Sequence, residues 1–201
     1  MPRILDIFLA GTLLLICAPV LAVCGVLIKI FSRGPLLFKQ DREGLHGRPF
    51  TMVKLRTMQV DADAVLKRWL ATHPRDAEEW IKYRRLGRDP RLIPFIGRSL
   101  RLFSFDELPQ LWNVLRGDMT LVGPRPLEFD VLDRFPSKYR NRRALVRPGL
   151  TGLWQVSGRS EHELRRVLAI DMVYLRHRGL TLDLKILLRT PLAVLRARGA
   201  Y

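Results

Sequence analysis

Cysteine is nearly missing from this chain. There are two in 201 residues, Cys17 and Cys24, and both fall in one apolar run. A secreted disulfide framework is thereby excluded. Histidine is scarce as well, and His46, His73, His162 and His177 form no His/Cys spacing of the kind zinc sites use. Acid is the minority charge, 19 Asp and Glu against 35 Lys and Arg, for a formal net charge of +16. Long apolar runs are also few: one stretch stands out, which argues against a multi-span membrane protein. No GxxxxGK[ST], GxGxxG or GxSxG pattern occurs, and neither does an internal repeat. What remains is a chain 48% apolar, too hydrophobic to stay disordered, whose basic excess calls for a polyanionic partner.

From Ile7 to Ile28 no residue is charged. As a helix these residues would measure about 33 Å, enough to cross a bilayer core. Three readings stay open on local grounds. A cleaved signal peptide is disfavoured because no small-x-small site closes the run and apolar character continues into Lys29-Ile30-Phe31. A spanning anchor and a helix that enters, breaks and returns both fit. Pro19 removes one backbone donor near the middle, with Gly11 and Gly25 on either side, but proline also occurs in ordinary spanning helices. The basic excess after the run places the body on the cytoplasmic side, facing anionic lipid.

Residues 36–58 read as two extended runs around a turn at Gly44, Gly47 and Pro49, a β-hairpin. Residues 61–85 read as a helix interrupted at Pro74. Trp and Leu on one side and Lys and Arg on the other suit either a membrane-interface helix or a core-facing one. Further helices are expected over 104–116, ending at Gly117, over 127–135, 161–178 and 182–196. The sum is an α+β chain, mainly α.

Ser104-Phe105-Asp106-Glu107 is the best local site candidate. Structurally it reads as a capping box. Pro109 complicates that, so either the first turn is distorted or the helix begins at Pro109 with both carboxylates just before it. An ionised Asp there can attack phosphorus or ligate Mg²⁺. Arg125, between Pro124 and Pro126, is a fixed guanidinium suited to bidentate phosphate binding. Lys54 and Arg56 share one strand face. The turn-rich segment from Pro148 to Arg159 has glycines that would let bare backbone approach a ligand. Each of these has a bland counterpart: a solvated turn, a strand edge, an ordinary loop.

Taken together and in order, these pieces resemble the bacterial sugar transferase family, the monotopic polyprenyl-phosphate phosphoglycosyl transferases. SFDELPQLWNVLRGDMTLVGPRP (104–126) carries the resemblance most specifically. FKQDREG (38–44), VKLRTM (53–58), DPRLIPFIGRSLR (89–101), VRPGLTGLWQVSGR (146–159) and DLKILLRT (183–190) also match. The resemblance implies transfer of sugar 1-phosphate from a UDP-sugar to undecaprenyl phosphate with release of UMP, in exopolysaccharide, O-antigen or capsule assembly. It implies Asp106 as the nucleophile of a covalent phosphosugar intermediate in a ping-pong cycle, Glu107 as its partner, and Mg²⁺ at the pair. Arg125 matches the phosphate-holding arginine. Arg56, Arg101 and Lys54 match basic positions near the site, and Arg159 and Asp171 match further characteristic positions. The resemblance also implies a re-entrant segment in residues 1–35, broken at Ala18-Pro19, and a catalytic domain in residues 36–201. That domain carries interfacial amphipathic helices and sits on the cytoplasmic face of the inner membrane; members are often homodimers, and the sequence leaves the oligomeric state open. Ala18 departs from the Ser-Pro pair of many members, and Phe105 stands where Leu is common. The 61–88 stretch looks more like the exopolysaccharide-type galactose or glucose phosphate transferases.

Two rivals come from other classes. A membrane-tethered nucleic-acid binder would use the basic run 138–147, yet Tyr139 is its single aromatic and no nucleic-acid motif appears. A non-catalytic scaffold for polysaccharide assembly would not need Asp106, Glu107 and Arg125 together.

Overall fold

The turn residues after Glu43 reverse the chain so that two extended runs pair. In the computed structural model, which describes residues 1–83, 86–157 and 164–195, β1 (Leu37–Glu43) and β2 (Pro49–Leu55) form the expected antiparallel hairpin, with Leu37 opposite Leu55 and Glu43 opposite Pro49. A second sheet, not anticipated from the sequence, has two short parallel strands, β3 (Thr120–Val122) and β4 (Gly149–Thr151). Three-residue strands carry too little alternation to be read from sequence.

Helices supply the rest. The apolar run folds as α1 (Arg3–Phe31), a single helical stretch with Pro19 inside it, so the two helices expected around Ala18-Pro19 are not separated by a non-helical gap. Then come α2 (Ala62–Thr72) and α3 (Pro74–Tyr83), divided at Pro74 as expected because proline favours a helix start. α4 (Gly97–Leu102) precedes a 3₁₀ turn, Phe105–Glu107, and α5 (Gln110–Arg116) follows it. Gly117, at φ 93, ends α5 in the left-handed conformation that glycine tolerates best. The described residues continue with α6 (Phe129–Leu132), α7 (Ser137–Ala144), α8 (Leu153–Val156), α9 (Leu164–His177) and α10 (Leu180–Leu195).

Both ends of α1 are built into the body. Near its start, Arg3 donates to the Leu115 carbonyl at 2.8 Å. Asp6, buried, accepts from Thr120 Oγ1 at 2.7 Å and from the Leu121 amide at 2.9 Å. Ala10 joins one core cluster with Leu111, Val114, Leu121, Val122 and Ile186. Towards its end, Cys24 and Ile28 join a second cluster with Leu55, Ile93, Ile96 and Leu100. Between these attachments the outward residues Leu13, Leu15, Ile16 and Val20 are exposed. The two clusters hold α4 and α5, the helices on either side of the 3₁₀ turn. The apolar helix therefore braces the segment that carries Asp106 and Glu107.

Candidate active site

The capping box does not form. Ser104 adopts φ 56 and makes no side-chain cap to the turn that follows. The second of the two sequence alternatives holds instead: α5 starts after Pro109, and both carboxylates precede it on the 3₁₀ turn. Tight turns place consecutive side chains in different directions, so the two acids have different surroundings. Asp106 is 8% exposed. Glu107 Oε1 accepts from Lys54 Nζ at 3.0 Å and from Arg125 Nη2 at 2.7 Å.

Their protonation diverges accordingly. Burial, with the adjacent Glu107 charge, pushes Asp106 up to about 6, against the pull of Lys54, Arg101 and Arg125. Burial also works to raise Glu107, but Arg125 and Lys54 outweigh it and hold this carboxylate well below the usual range. The result is a fixed anion between two cations, beside a carboxyl whose ionisation is held back by burial and by its neighbour.

A cavity of ≈ 930 Å³ opens on this pair. Lys54, Arg101, Asp106, Glu107 and Arg125, all named from the sequence, line it together. Arg101 is oriented by Thr57, accepting from its Nε at 3.0 Å. Arg56 also borders the cavity but turns its donors elsewhere. Nε bonds the Pro35 carbonyl at 2.6 Å, Nη1 bonds Ser32 Oγ and the Met58 carbonyl, and Nη2 bonds the Arg33 carbonyl at 3.0 Å. Strand alternation put Lys54 and Arg56 on one face, but β2 ends at Leu55, and past that point Arg56 closes the loop that leaves α1.

Asp171, on α9, lies away from the cavity. It forms a buried ion pair with Arg143 of α7, whose Nη2 donates to the Arg125 carbonyl at 2.6 Å. Arg159 lies outside the described residues. The glycines of the 148–152 segment lie against the backbone of Gly123. A Cβ on Gly149 would collide with the Gly123 nitrogen, so the bare glycine lets β4 run against the chain entering Pro124-Arg125-Pro126.

Residues without a role in the sequence reading also border the cavity: Gln40, Arg42, Glu128 and Trp154. Arg42 Nη2 donates to Gln40 Oε1 at 2.6 Å and to Glu128 Oε1 at 2.9 Å. The Arg125 guanidinium stands 6.0 Å from the centre of the Trp154 ring. Arg42 and Gln40 alternate along β1, a signal present in the sequence. Trp154 had none, because α8 is a single turn.

Among the described residues no three His, Cys, Asp or Glu side chains gather as a metal cage. Magnesium does not need one: it is commonly held by one or two carboxylates together with substrate phosphates. The adjacent acids fit that pattern, and a hard cation would offset both the burial and the Glu107 charge that raise Asp106.

Comparison with known proteins gives the family. The family described as Bacterial sugar transferase matches residues 1–197. The exopolysaccharide production protein ExoY of Rhizobium meliloti (strain 1021) is 38% identical over 204 residues, covering 99% of this chain and 87% of that protein. The UDP-glucose:undecaprenyl-phosphate glucose-1-phosphate transferase of Caulobacter vibrioides is 40% identical over 206 residues, covering 99% of this chain and 71% of the relative. The undecaprenyl-phosphate galactose phosphotransferase of Salmonella typhimurium is 40% identical over 199 residues; the match takes in 99% of this chain but only 41% of that longer protein. Matched along nearly its whole length, with the acidic pair and its cations gathered at one cavity, this chain belongs to the bacterial sugar transferase family.

Proposed function

We propose that the chain transfers sugar 1-phosphate from a UDP-sugar to undecaprenyl phosphate and releases UMP, the first membrane step in building an exopolysaccharide, O-antigen or capsule glycan. The observation that carries this is the buried Asp106 beside Glu107, facing a cavity whose lining cations include Lys54, Arg101 and Arg125. The names of the relatives support the donor and acceptor classes.

In the first half-reaction an Asp106 carboxylate oxygen attacks the phosphorus bearing the sugar. The bond to the bridging oxygen breaks, UMP leaves with the electron pair, and an aspartyl phosphosugar forms. A phosphate oxygen of the polyprenyl acceptor then attacks the same phosphorus and returns the carboxylate. The chain's task is electrostatic. A carboxylate approaching a diphosphate meets like charge, and arginine and lysine side chains offset it. Glu107 keeps Lys54 and Arg125 in place, so their positive ends are already positioned when donor enters. Mg²⁺ held by Asp106 and Glu107 would supply further charge neutralisation. Two sequential displacements let one site serve a soluble donor and a lipid acceptor in turn.

Support for a non-spanning α1 comes from its two attachments to one body: Asp6 to β3, and Ile28 to the Leu55 and Leu100 cluster. A helix crossing the bilayer would hold its ends in different compartments. A chain folded back to the cytoplasmic face of the inner membrane keeps them together and holds the cavity at headgroup level.

Assay of UMP release from a panel of UDP-sugars, with undecaprenyl phosphate and Mg²⁺, tests the reading. Asp106→Asn is expected to lose at least about 10³-fold in rate. Mass spectrometry of protein incubated with donor alone should find a phosphosugar on residue 106. Full turnover by Asp106→Asn, or turnover that survives EDTA, would overturn the mechanism.

A further inference from the structure

Pro94 and Phe95 face outward between two buried isoleucines. Ile93 and Ile96 pack into the cluster that holds Cys24 and Ile28 of α1. The Ile96 amide donates to the Pro94 carbonyl at 2.7 Å, and Phe95 between them has φ 64. This i→i+2 bond about a left-handed residue makes the rarer, strained kind of γ-turn. Glycine would hold the same backbone with less strain. Phenylalanine gains little burial in exchange, being 88% exposed. Strain held without a folding benefit points to use by something outside the fold.

The surroundings identify what that is. The Phe95 ring lies against Phe31, the last residue of α1, with centroids 5.3 Å apart. It thus continues the outward apolar face of α1, where Val23, Val26 and Ile30 are also exposed. Lys29, Arg33 and Arg98, all exposed, flank this aromatic pair along the chain. An exposed aromatic among cations, joined to an apolar helix face, matches the headgroup boundary of an anionic bilayer.

We propose that the Pro94-Phe95 turn is a second point of membrane insertion, a wedge that enters the lipid beside the C-terminal end of α1. This rests on the reading of α1 as membrane-embedded. The same loop supplies Arg91 to the cavity and continues through α4 to Arg101. The wedge therefore sets the height of the cavity above the lipid surface, where the acceptor phosphate must meet Asp106.

The full chain, with Cys17 and Cys24 replaced by alanine and UMP release confirmed, carries a single NBD-labelled cysteine at position 95, 23 or 130. It is placed in vesicles of phosphatidylethanolamine with phosphatidylglycerol. Labels at 95 and 23 should be quenched by nitroxide lipids and shielded from iodide, and a label at 130 should behave in the opposite way. Quenching at 23 with iodide access at 95 would overturn the wedge and leave the membrane reading of α1 standing. Iodide access at both would overturn both. Protection of 95 from both quenchers would mean that protein, such as a second copy, covers the turn, and would also overturn the wedge. Phe95→Gly keeps the turn without the ring. It should raise KM for undecaprenyl phosphate several-fold while leaving donor-only UMP release intact; an unchanged KM would refute the height-setting role.

Discussion

Arg143 donates to the backbone carbonyl of Arg125 at 2.6 Å. The guanidinium doing so is buried and paired with Asp171, on a helix far along the chain. Asp171 thus acts on the cavity at two removes, by holding the arginine that holds the arginine. Asp171→Asn would leave Arg143 buried without its ion-pair partner, so the Pro124–Pro126 segment should loosen. The expected outcome is a donor KM raised about tenfold with a smaller change in kcat. Asp171→Glu should recover part of it. A merely structural role would lower the amount of folded enzyme without moving KM.

The Asp106 carboxyl, at about 6, binds its proton more tightly in the folded chain than in the unfolded one. Linkage then makes stability fall as pH rises from about 4 to about 6, and the loss, roughly 3 kcal/mol at most, persists at higher pH. Asp106→Asn removes it. In EDTA and detergent, chemical denaturation should find the Asn variant more stable than the parent at about pH 7.5 and nearly equal at about pH 4. Identical pH profiles for the two proteins would show that Asp106 is not so perturbed.

Arg56 is predicted to act on folding. Its donors close the loop after α1 by bonding Pro35, Ser32, Arg33 and Met58. Arg56→Ala should cost about 2–4 kcal/mol, because the several hydrogen bonds of one buried guanidinium are lost together. Thermal unfolding measures this. The protein that still folds should bind donor with near-parental KM; a large KM change without loss of stability would return Arg56 to the phosphate site.

Gly149→Ala tests the close passage of β4. The added methyl would meet the Gly123 backbone, which has no side chain to move aside. Separating β3 from β4 would shift Arg125 as well. A drop in melting temperature and a loss of activity of about tenfold or more are expected together. Normal activity and stability would mean that the two strands can part without disturbing the site.

The hairpin, the division of the helices at Pro74 and the end of α5 at Gly117 were legible because they depend on neighbours within a few residues. So were Asp106, Glu107 and Arg125 as candidates, since their setting between prolines and turns is local. The bonds of Arg56 to the loop after α1 were not legible, because strand alternation stops counting where β2 ends. Trp154 and the β3–β4 sheet were not legible because single turns and three-residue strands carry no period.

By itself the sequence determined the one apolar helix, the basic body, the acid pair and the family resemblance, all consequences of local pattern and composition. Only the tertiary structure decided that Lys54 and Arg125, 71 residues apart in number, converge on one oxygen of Glu107. It alone decided that both ends of α1 return to the same body, and that Asp171 reaches the cavity through Arg143. Those outcomes depend on which buried charges find partners and which apolar faces meet. These are properties of the packed chain that no short window of residues contains.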